Sequence, residues 1–192
     1  MKAVETPGIG EIMLLDSISS DRFSFPKKTI IIIETIEDYV NMALIQHRRI
    51  FMDLEQIKRS VTPRLGPHGI PGQPILASGK ALTTVLFGDI HYYVICRDKI
   101  GKLMKNLQKL ISVNHNRMKT YDALFYNCRK IRNSFEHIDE RIGKERILEI
   151  GEFDETFFTS YDDFRVDLKN GEKCLREFYG NLLEDLQNQI SP

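Results

Sequence analysis

The chain has 192 residues, with 27 basic and 27 acidic side chains and a mean hydropathy of −0.29. This length suits one domain, so residues 1–192 are predicted to form a single helical domain. The longest apolar run, IIII at 30–33, is too short to cross a bilayer and residues 1–11 lack the apolar stretch of a signal peptide, which favours a cytoplasmic protein without a membrane segment.

The first predicted elements are a small β-hairpin and a helix. Residues 11–33 carry two β-prone runs separated by a turn rich in Ser and Asp, so residues 1–34 are interpreted as an N-terminal extension containing a hairpin. Thr35 and Asp38 resemble a capping box. The apolar residues that follow recur at steps of three and four, which predicts a helix over about 36–60.

A segment rich in proline and glycine comes next, at 62–79, and is predicted to be an irregular loop because neither a helix nor a central strand tolerates that density. An apolar stripe then predicts a second helix over about 80–113. The sequence VNHN at 113–116 interrupts the stripe, and a third helix is predicted over about 116–142. Because the link between them is short, these two helices are expected to pack antiparallel.

The remaining elements are a β insert and a final helix. Residues 147–168 combine aromatic and β-branched residues with turn signals, which indicates a β-hairpin or an irregular β insert. Asn170 is predicted to cap a helix over about 171–190. The predicted fold is therefore mainly α, an antiparallel bundle of four to five helices with small β embellishments.

Charge is unevenly distributed along the chain. Residues 97–132 contain ten basic and two acidic residues, whereas residues 133–192 contain seven basic and fifteen acidic residues. One interpretation is two solvated helix faces. The other is an anion-binding surface in the middle of the chain, of the kind that phosphate contacts require.

Three polar residues late in the third predicted helix form a candidate site: Arg132, Asn133 and His137. Asn133 and His137 lie one turn apart, nearly opposite the apolar stripe, while Arg132 lies on the flank, about 140° from His137 on an ideal helix. This polar face is expected to meet water or another subunit. The simpler interpretation is an ordinary surface, with Arg132 paired to Glu136 one turn away.

The stretch RNSFEH at 132–137 resembles the Arg-polar-x-x-x-His signature of the HEPN family (higher eukaryotes and prokaryotes nucleotide-binding domain). Members of that family are small helical bundles, and many are metal-independent endoribonucleases that act as toxins of toxin–antitoxin pairs or in phage defence. In the family the motif lies on a late helix, and two copies meet across a homodimer interface. The resemblance covers these six residues and the bundle outline.

The resemblance implies catalytic roles for Arg132, Asn133 and His137. An imidazole suits proton transfer, a guanidinium offers a planar fork to phosphate oxygens, and an amide can hydrogen-bond and orient the imidazole or the phosphate. The expected products are a 2′,3′-cyclic phosphate and a 5′-hydroxyl, formed without a metal or cofactor. Weaker RNA-binding candidates are the nearby basic residues Arg129, Lys130, Arg117 and Lys119.

The partners implied are RNA, a second copy of the chain and an antitoxin or other regulatory protein. Some family members carry a Tyr two residues after the His, where a partner nucleotidyltransferase modifies it, but here that position is Asp139. Two alternatives stay open. One is a non-catalytic HEPN-like module that binds nucleotides or a protein; the other is a helical bundle with an accidental Arg-Asn-His cluster. No metal site is predicted from the spacing of the other His and Cys residues.

Overall fold

The computed structural model describes residues 25–61, 76–136, 157–159 and 165–189. These residues form a mainly α fold, which confirms the predicted class. The described elements in chain order are α1 Lys27–Val61, α2 Leu76–Leu107, α3 His115–Glu136, β1 Phe157–Thr159, β2 Arg165–Asp167 and α4 Gly171–Asn188. None of the described helices combines the length and apolarity needed to cross a membrane.

Helix α1 begins nine residues before the predicted start, at Lys27. The carbonyl of Pro26 accepts hydrogen bonds from the backbone of Thr29 and Ile30, so the first turn forms directly after the proline. The prediction of a strand at 27–33 was therefore wrong, and the remainder of the predicted hairpin, at 11–24, lies outside the described residues. The IIII run is helical because two of its residues, Ile32 and Ile33, begin the buried stripe of α1.

The predicted capping box at Thr35 was also wrong. Thr35 lies inside α1, and its hydroxyl donates to the carbonyl of Ile31 at 2.6 Å, one turn earlier. A threonine hydroxyl can hydrogen-bond a carbonyl of the preceding turn inside a helix, or a backbone amide at a helix start. The sequence pattern alone does not distinguish these two positions.

The boundaries of α2 and α3 differ less from prediction. Helix α2 begins at Leu76, so the prediction of loop was wrong for 76–79, and residues 62–75 lie outside the described part. Helix α2 ends at Leu107 rather than near 113, and a turn follows at 108–110. Helix α3 begins at His115 as expected. The predicted end of α3, at 137–142, lies outside the described residues.

The four helices run alternately up and down. Two contacts show that helices α1 and α2 are antiparallel. The hydroxyl of Tyr92 donates to the Sδ of Met42 at 3.3 Å, whereas Arg49, later on α1, lies 3.0 Å from Asp89, which is earlier on α2. The expectation that α2 and α3 pack antiparallel is confirmed by the order of their contacts, because Asp98 meets Arg132 and the later Gly101 meets the earlier Phe125. Helix α4 returns against α1, where the hydroxyl of Tyr179 donates to Glu37 at 2.8 Å.

The core lies between these helices and is formed by apolar residues that recur at helical spacing. Its most deeply buried members include Ile36, Val40, Ala43, Ile50, Tyr93, Ile100, Leu107, Cys128, Ile131, Leu175, Phe178 and Leu182. Cys96 and Cys128 are buried free thiols, and Cys174 is a half-buried one. The burial of side chains from all four helices in one cluster makes this a single packing unit.

A two-stranded hairpin precedes α4. Strands β1 and β2 pair antiparallel, with Phe158 opposite Val166, which confirms the predicted β insert for these residues; the rest of 147–168 lies outside the described part. The carbonyl of Leu168 accepts a hydrogen bond from Nε2 of the buried His47 at 2.6 Å, which ties the hairpin to α1. Burial is the main reason why the pKa of His47 is lowered, so the imidazole is neutral there.

Asn170 precedes α4 as predicted, but its side chain does not cap the helix. Its Nδ2 donates to Asp167 at 2.8 Å instead, and its backbone amide donates to the same carboxylate at 3.0 Å. The first residue of α4 is Gly171, where an added Cβ would lie 2.5 Å from the hydroxyl of Tyr93. Glycine therefore allows the start of α4 to approach α2 closely.

Candidate functional site

The structure brings two of the three motif residues together near the C-terminal end of α3. Nη2 of Arg132 donates to Oδ1 of Asn133 at 2.6 Å. Nη1 of the same guanidinium donates to Oδ2 of Asp98 on α2 at 2.5 Å. His137 lies outside the described residues.

Arg132 does not extend into water as the helical wheel suggested. Its side chain is 16 % exposed and lies between α2 and α3, while the side chain of Asp98 is 2 % exposed. A carboxylate removed from water needs a cation and hydrogen bonds, and the long arginine side chain reaches inward from the flank of α3 to supply them. The expectation that this face is not buried by its own bundle was therefore wrong for Arg132, and Asn133 is half-buried.

Asp98 has a second cation. Nζ of Lys102, one turn further along α2, lies 2.7 Å from the same Oδ2 that accepts from Arg132. Two cations therefore share one buried carboxylate oxygen, which compensates its loss of hydration. Asp98 thereby fixes where the guanidinium of Arg132 lies, and Asn133 constrains which way its planar fork faces.

A groove runs along the junction of α2 and α3 beside this cluster, with a cavity of about 400 Å³. Three cations and two aromatic rings line it: Lys102, Lys105, Arg129, Phe125 and Tyr126. The volume falls in the range typical of small-ligand sites. The groove, defined by these residues with Asp98, Gly101 and Asp122, is called the α2–α3 groove below.

The two rings differ in exposure. Phe125 is buried, and its Cβ would be only 2.7 Å from a Cβ added at Gly101, so glycine lets the helices approach at the floor of the groove. Tyr126 is 54 % exposed, and Nζ of Lys130 lies 4.8 Å from its ring centroid. Lys130 takes one face of this exposed ring, and the opposite face is a surface on which a flat ligand can stack.

The weaker RNA-binding candidates divide into two sets. Arg129 lines the α2–α3 groove and Lys130 covers the ring of Tyr126, so both lie beside the motif pair. Lys119 is exposed nearer the start of α3, away from Arg132, and for Arg117 only its position in the first turn of α3 is described. The basic run at 97–132 therefore does not form one uniform surface, because Arg97 of the same run is fully buried beside Tyr93.

Sequence reasoning missed Asp98, Lys102, Lys105 and Tyr126 as part of the site. One signal was present: Asp98 is one of two acidic residues in the basic run, and Lys102 follows it at the i,i+4 spacing of a helical ion pair. No sequence pattern showed that Arg132, 34 residues further on, would reach the same carboxylate. That contact depends on the register between α2 and α3.

Within the described ranges, no three His, Cys, Asp or Glu side chains come together as a group able to hold a metal ion. Comparisons with protein-family models, with curated proteins and with solved structures find no match to this chain.

Proposed function

We propose that this protein is a metal-independent endoribonuclease of the HEPN type that acts as a cytoplasmic homodimer, in the role of a toxin or a phage-defence effector. The observation that carries the proposal is the arginine–asparagine pair of the motif, in which Arg132 donates to Asn133 and to the buried Asp98 beside a basic groove. A guanidinium oriented in this way is suited to phosphate oxygens.

The proposed reaction uses the nucleophile that RNA carries. The 2′-hydroxyl attacks the adjacent phosphorus, its proton is removed, and the bond from phosphorus to the 5′-oxygen breaks as that oxygen gains a proton. The products are a 2′,3′-cyclic phosphate and a 5′-hydroxyl. His137 is the proton-transfer group, because an imidazole titrates near neutral pH. Arg132 stabilises negative charge on the phosphoryl oxygens, and Asn133 orients the guanidinium.

A second candidate is a non-catalytic module of the same family that binds a nucleotide or a protein. The contact that favours it is the one between Arg132 and Asp98, because an arginine that neutralises a buried carboxylate has a structural role without any reaction. The two candidates differ in one property, RNA cleavage that depends on His137.

The test is incubation of the purified protein with a defined single-stranded RNA in the presence of EDTA, beside the variant His137→Ala. We expect cleavage by the wild-type protein, a rate lower by about 10²-fold or more in the variant, and cyclic phosphate ends detected by mass spectrometry. A matched control is His115→Ala, which removes a histidine at the opposite end of α3 and should cut normally.

Arg132 needs a milder substitution because its removal also exposes the charge of Asp98. Arg132→Lys keeps a cation for Asp98 but loses the planar fork, so the protein should fold while cleavage falls at least tenfold. Equal rates in wild type and His137→Ala would refute the ribonuclease proposal. A folded protein that cuts no RNA would shift the assignment to the binding module.

A further inference from the structure

The α2–α3 groove contains groups that the proposed cleavage chemistry does not use. Lys105, Arg129 and Tyr126 take no part in proton transfer or in holding Arg132. The side chains of Lys105 and Arg129 form no hydrogen bond or ion pair with the residues that the structure describes. Exposed cations beside a half-exposed ring are the combination that binds single-stranded nucleic acids.

The register of the helices orders these groups along the groove. Asp98 meets Arg132 and Gly101 meets Phe125, so positions further along α2 face positions earlier on α3. Arg129 therefore lies at the end near Arg132, and Lys105 lies toward Asp122 at the far end. From 122 to 129 is about 10 Å along an ideal helix, enough to separate two phosphate contacts.

The carboxylates in the groove do not cancel these cations. Asp98 is already neutralised by Lys102 and Arg132. Asp122 is exposed and weakens, without cancelling, the attraction of a phosphate to the Lys105 end of the groove, and its oxygens can accept hydrogen bonds from the amino or imino groups of a base. A nucleotide offers both kinds of group, a base for Tyr126 and Asp122 and phosphates for the cations.

We propose that the α2–α3 groove binds one unpaired nucleotide of a single-stranded RNA adjacent to the cleaved bond, with its base stacked on Tyr126 and its flanking phosphates on Arg129 and Lys105. The choice of RNA as ligand rests on the proposed function. A paired base is excluded because stacking on a side chain requires a base that is free of its neighbours. The groove thus selects unpaired regions as substrates.

Binding can be measured apart from cleavage with a fluorescent single-stranded RNA hexamer that is 2′-O-methylated throughout. This probe lacks the 2′-hydroxyl nucleophile, so the wild-type protein binds it without cutting it. Fluorescence anisotropy at about 50 and about 200 mM salt gives the dissociation constant and its salt dependence. The variants are Tyr126→Leu, Tyr126→Phe, Arg129→Ala and Lys105→Ala.

Tyr126→Leu should weaken binding about tenfold, whereas Tyr126→Phe keeps the ring and should bind as the wild type does. Arg129→Ala and Lys105→Ala should each weaken binding severalfold and reduce the salt slope by about 0.7. The matched controls are Tyr92→Leu and Lys99→Ala, an exposed tyrosine and an exposed lysine of α2 outside the groove, and both should bind normally. Thermal unfolding of each variant verifies that it is folded.

The outcomes separate this inference from the proposed function. Cleavage that depends on His137 combined with hexamer binding that ignores Tyr126→Leu and Arg129→Ala refutes the groove alone. Groove-dependent binding without cleavage of the unmodified hexamer refutes the nuclease and keeps the groove. The inference is overturned if the hexamer does not bind. It is also overturned if an acidic peptide displaces the hexamer as well as unlabelled RNA does and Tyr126→Leu binds the hexamer normally.

Discussion

At the scale of single residues, the buried carboxylates of the bundle differ in how well their loss of hydration is compensated. Asp98 is compensated by two cations, and its removal from water is therefore tolerated. Asp53 on α1 is not compensated in the same way. It faces Asp89 on α2, and the guanidinium of Arg49 binds Asp89 rather than Asp53.

This arrangement raises the pKa of Asp53 to about 6, chiefly because burial disfavours the carboxylate and also because Asp89 is a hydrogen-bond partner and a like charge. The folded state therefore binds a proton that the unfolded state, with a pKa near 3.8, has already released. Stability that is present at low pH is then lost as the pH rises from about 4 to about 6.

We predict that Asp53→Asn removes this loss. The amide still donates to Asp89 but carries no charge, so the variant should be more stable than the wild type at neutral pH, by on the order of 1 kcal/mol after allowance for solvent screening. The advantage should vanish near pH 4. Urea unfolding across this pH range measures it, and Glu55→Gln, an exposed carboxylate on the same helix, is the control. A pH dependence unchanged in Asp53→Asn would contradict the assignment.

At the scale of elements, the contact between α2 and α3 determines the geometry of the candidate site. The helices approach closely at Gly101, where an added Cβ would meet the Cβ of Phe125 at 2.7 Å. That atom belongs to the root of a side chain and cannot swing away, so a larger residue must separate the helices. Separation would also pull Asp98 away from Arg132.

Gly101→Ala should therefore destabilise the protein by about 1–2 kcal/mol, although alanine favours a helix more than glycine does. Gly88→Ala on the same helix meets nothing within 4 Å and should stabilise it by about 0.5–1 kcal/mol. Chemical unfolding of Gly101→Ala and Gly88→Ala measures the change in the free energy of unfolding, which should be negative for the first variant and positive for the second. A stabilised Gly101→Ala would mean that the helices adjust freely at this contact.

At the scale of the whole molecule, the proposed reaction requires an assembly. On an ideal helix Arg132 and His137 point in different directions, so a composite cleft across a two-fold axis is the arrangement in which both reach one phosphate. The inward position of Arg132 strengthens this requirement, because its guanidinium is directed toward α2 by Asp98. The sites of two chains would then face each other across one interface.

We predict a homodimer with twice the chain mass of 22.3 kDa, detected by sedimentation equilibrium. Its cleavage rate per chain should fall as dilution shifts the protein toward monomers, because each cleft needs residues from both chains. Mixing an inactive His137→Ala chain with wild type should reduce the rate more than simple dilution does. A monomer that cleaves at full rate would refute the composite cleft.

The helix starts that the sequence predicted well are those at which a polar interruption precedes the apolar stripe. Helices α3 and α4 begin within one residue of the predicted starts. At VNHN and at Asn170 the polar interruption of the sequence coincides with the point where the helical apolar period begins. The start of α1 was missed because the β-branched run at 30–33 suits a strand locally, and only burial against the other helices makes it helical. Thr35 misled for the same reason, as its local bonding fits either assignment.

The sequence by itself determined the helical class and the antiparallel pairing of α2 and α3, because periodicity and chain breaks are local properties. The tertiary structure alone decided that Arg132 turns inward to Asp98, that Lys102 shares that carboxylate, and that a groove with Tyr126 at its edge lies beside them. Those contacts join residues on different helices. They depend on the register and close approach of α2 and α3, which no pattern along one helix specifies.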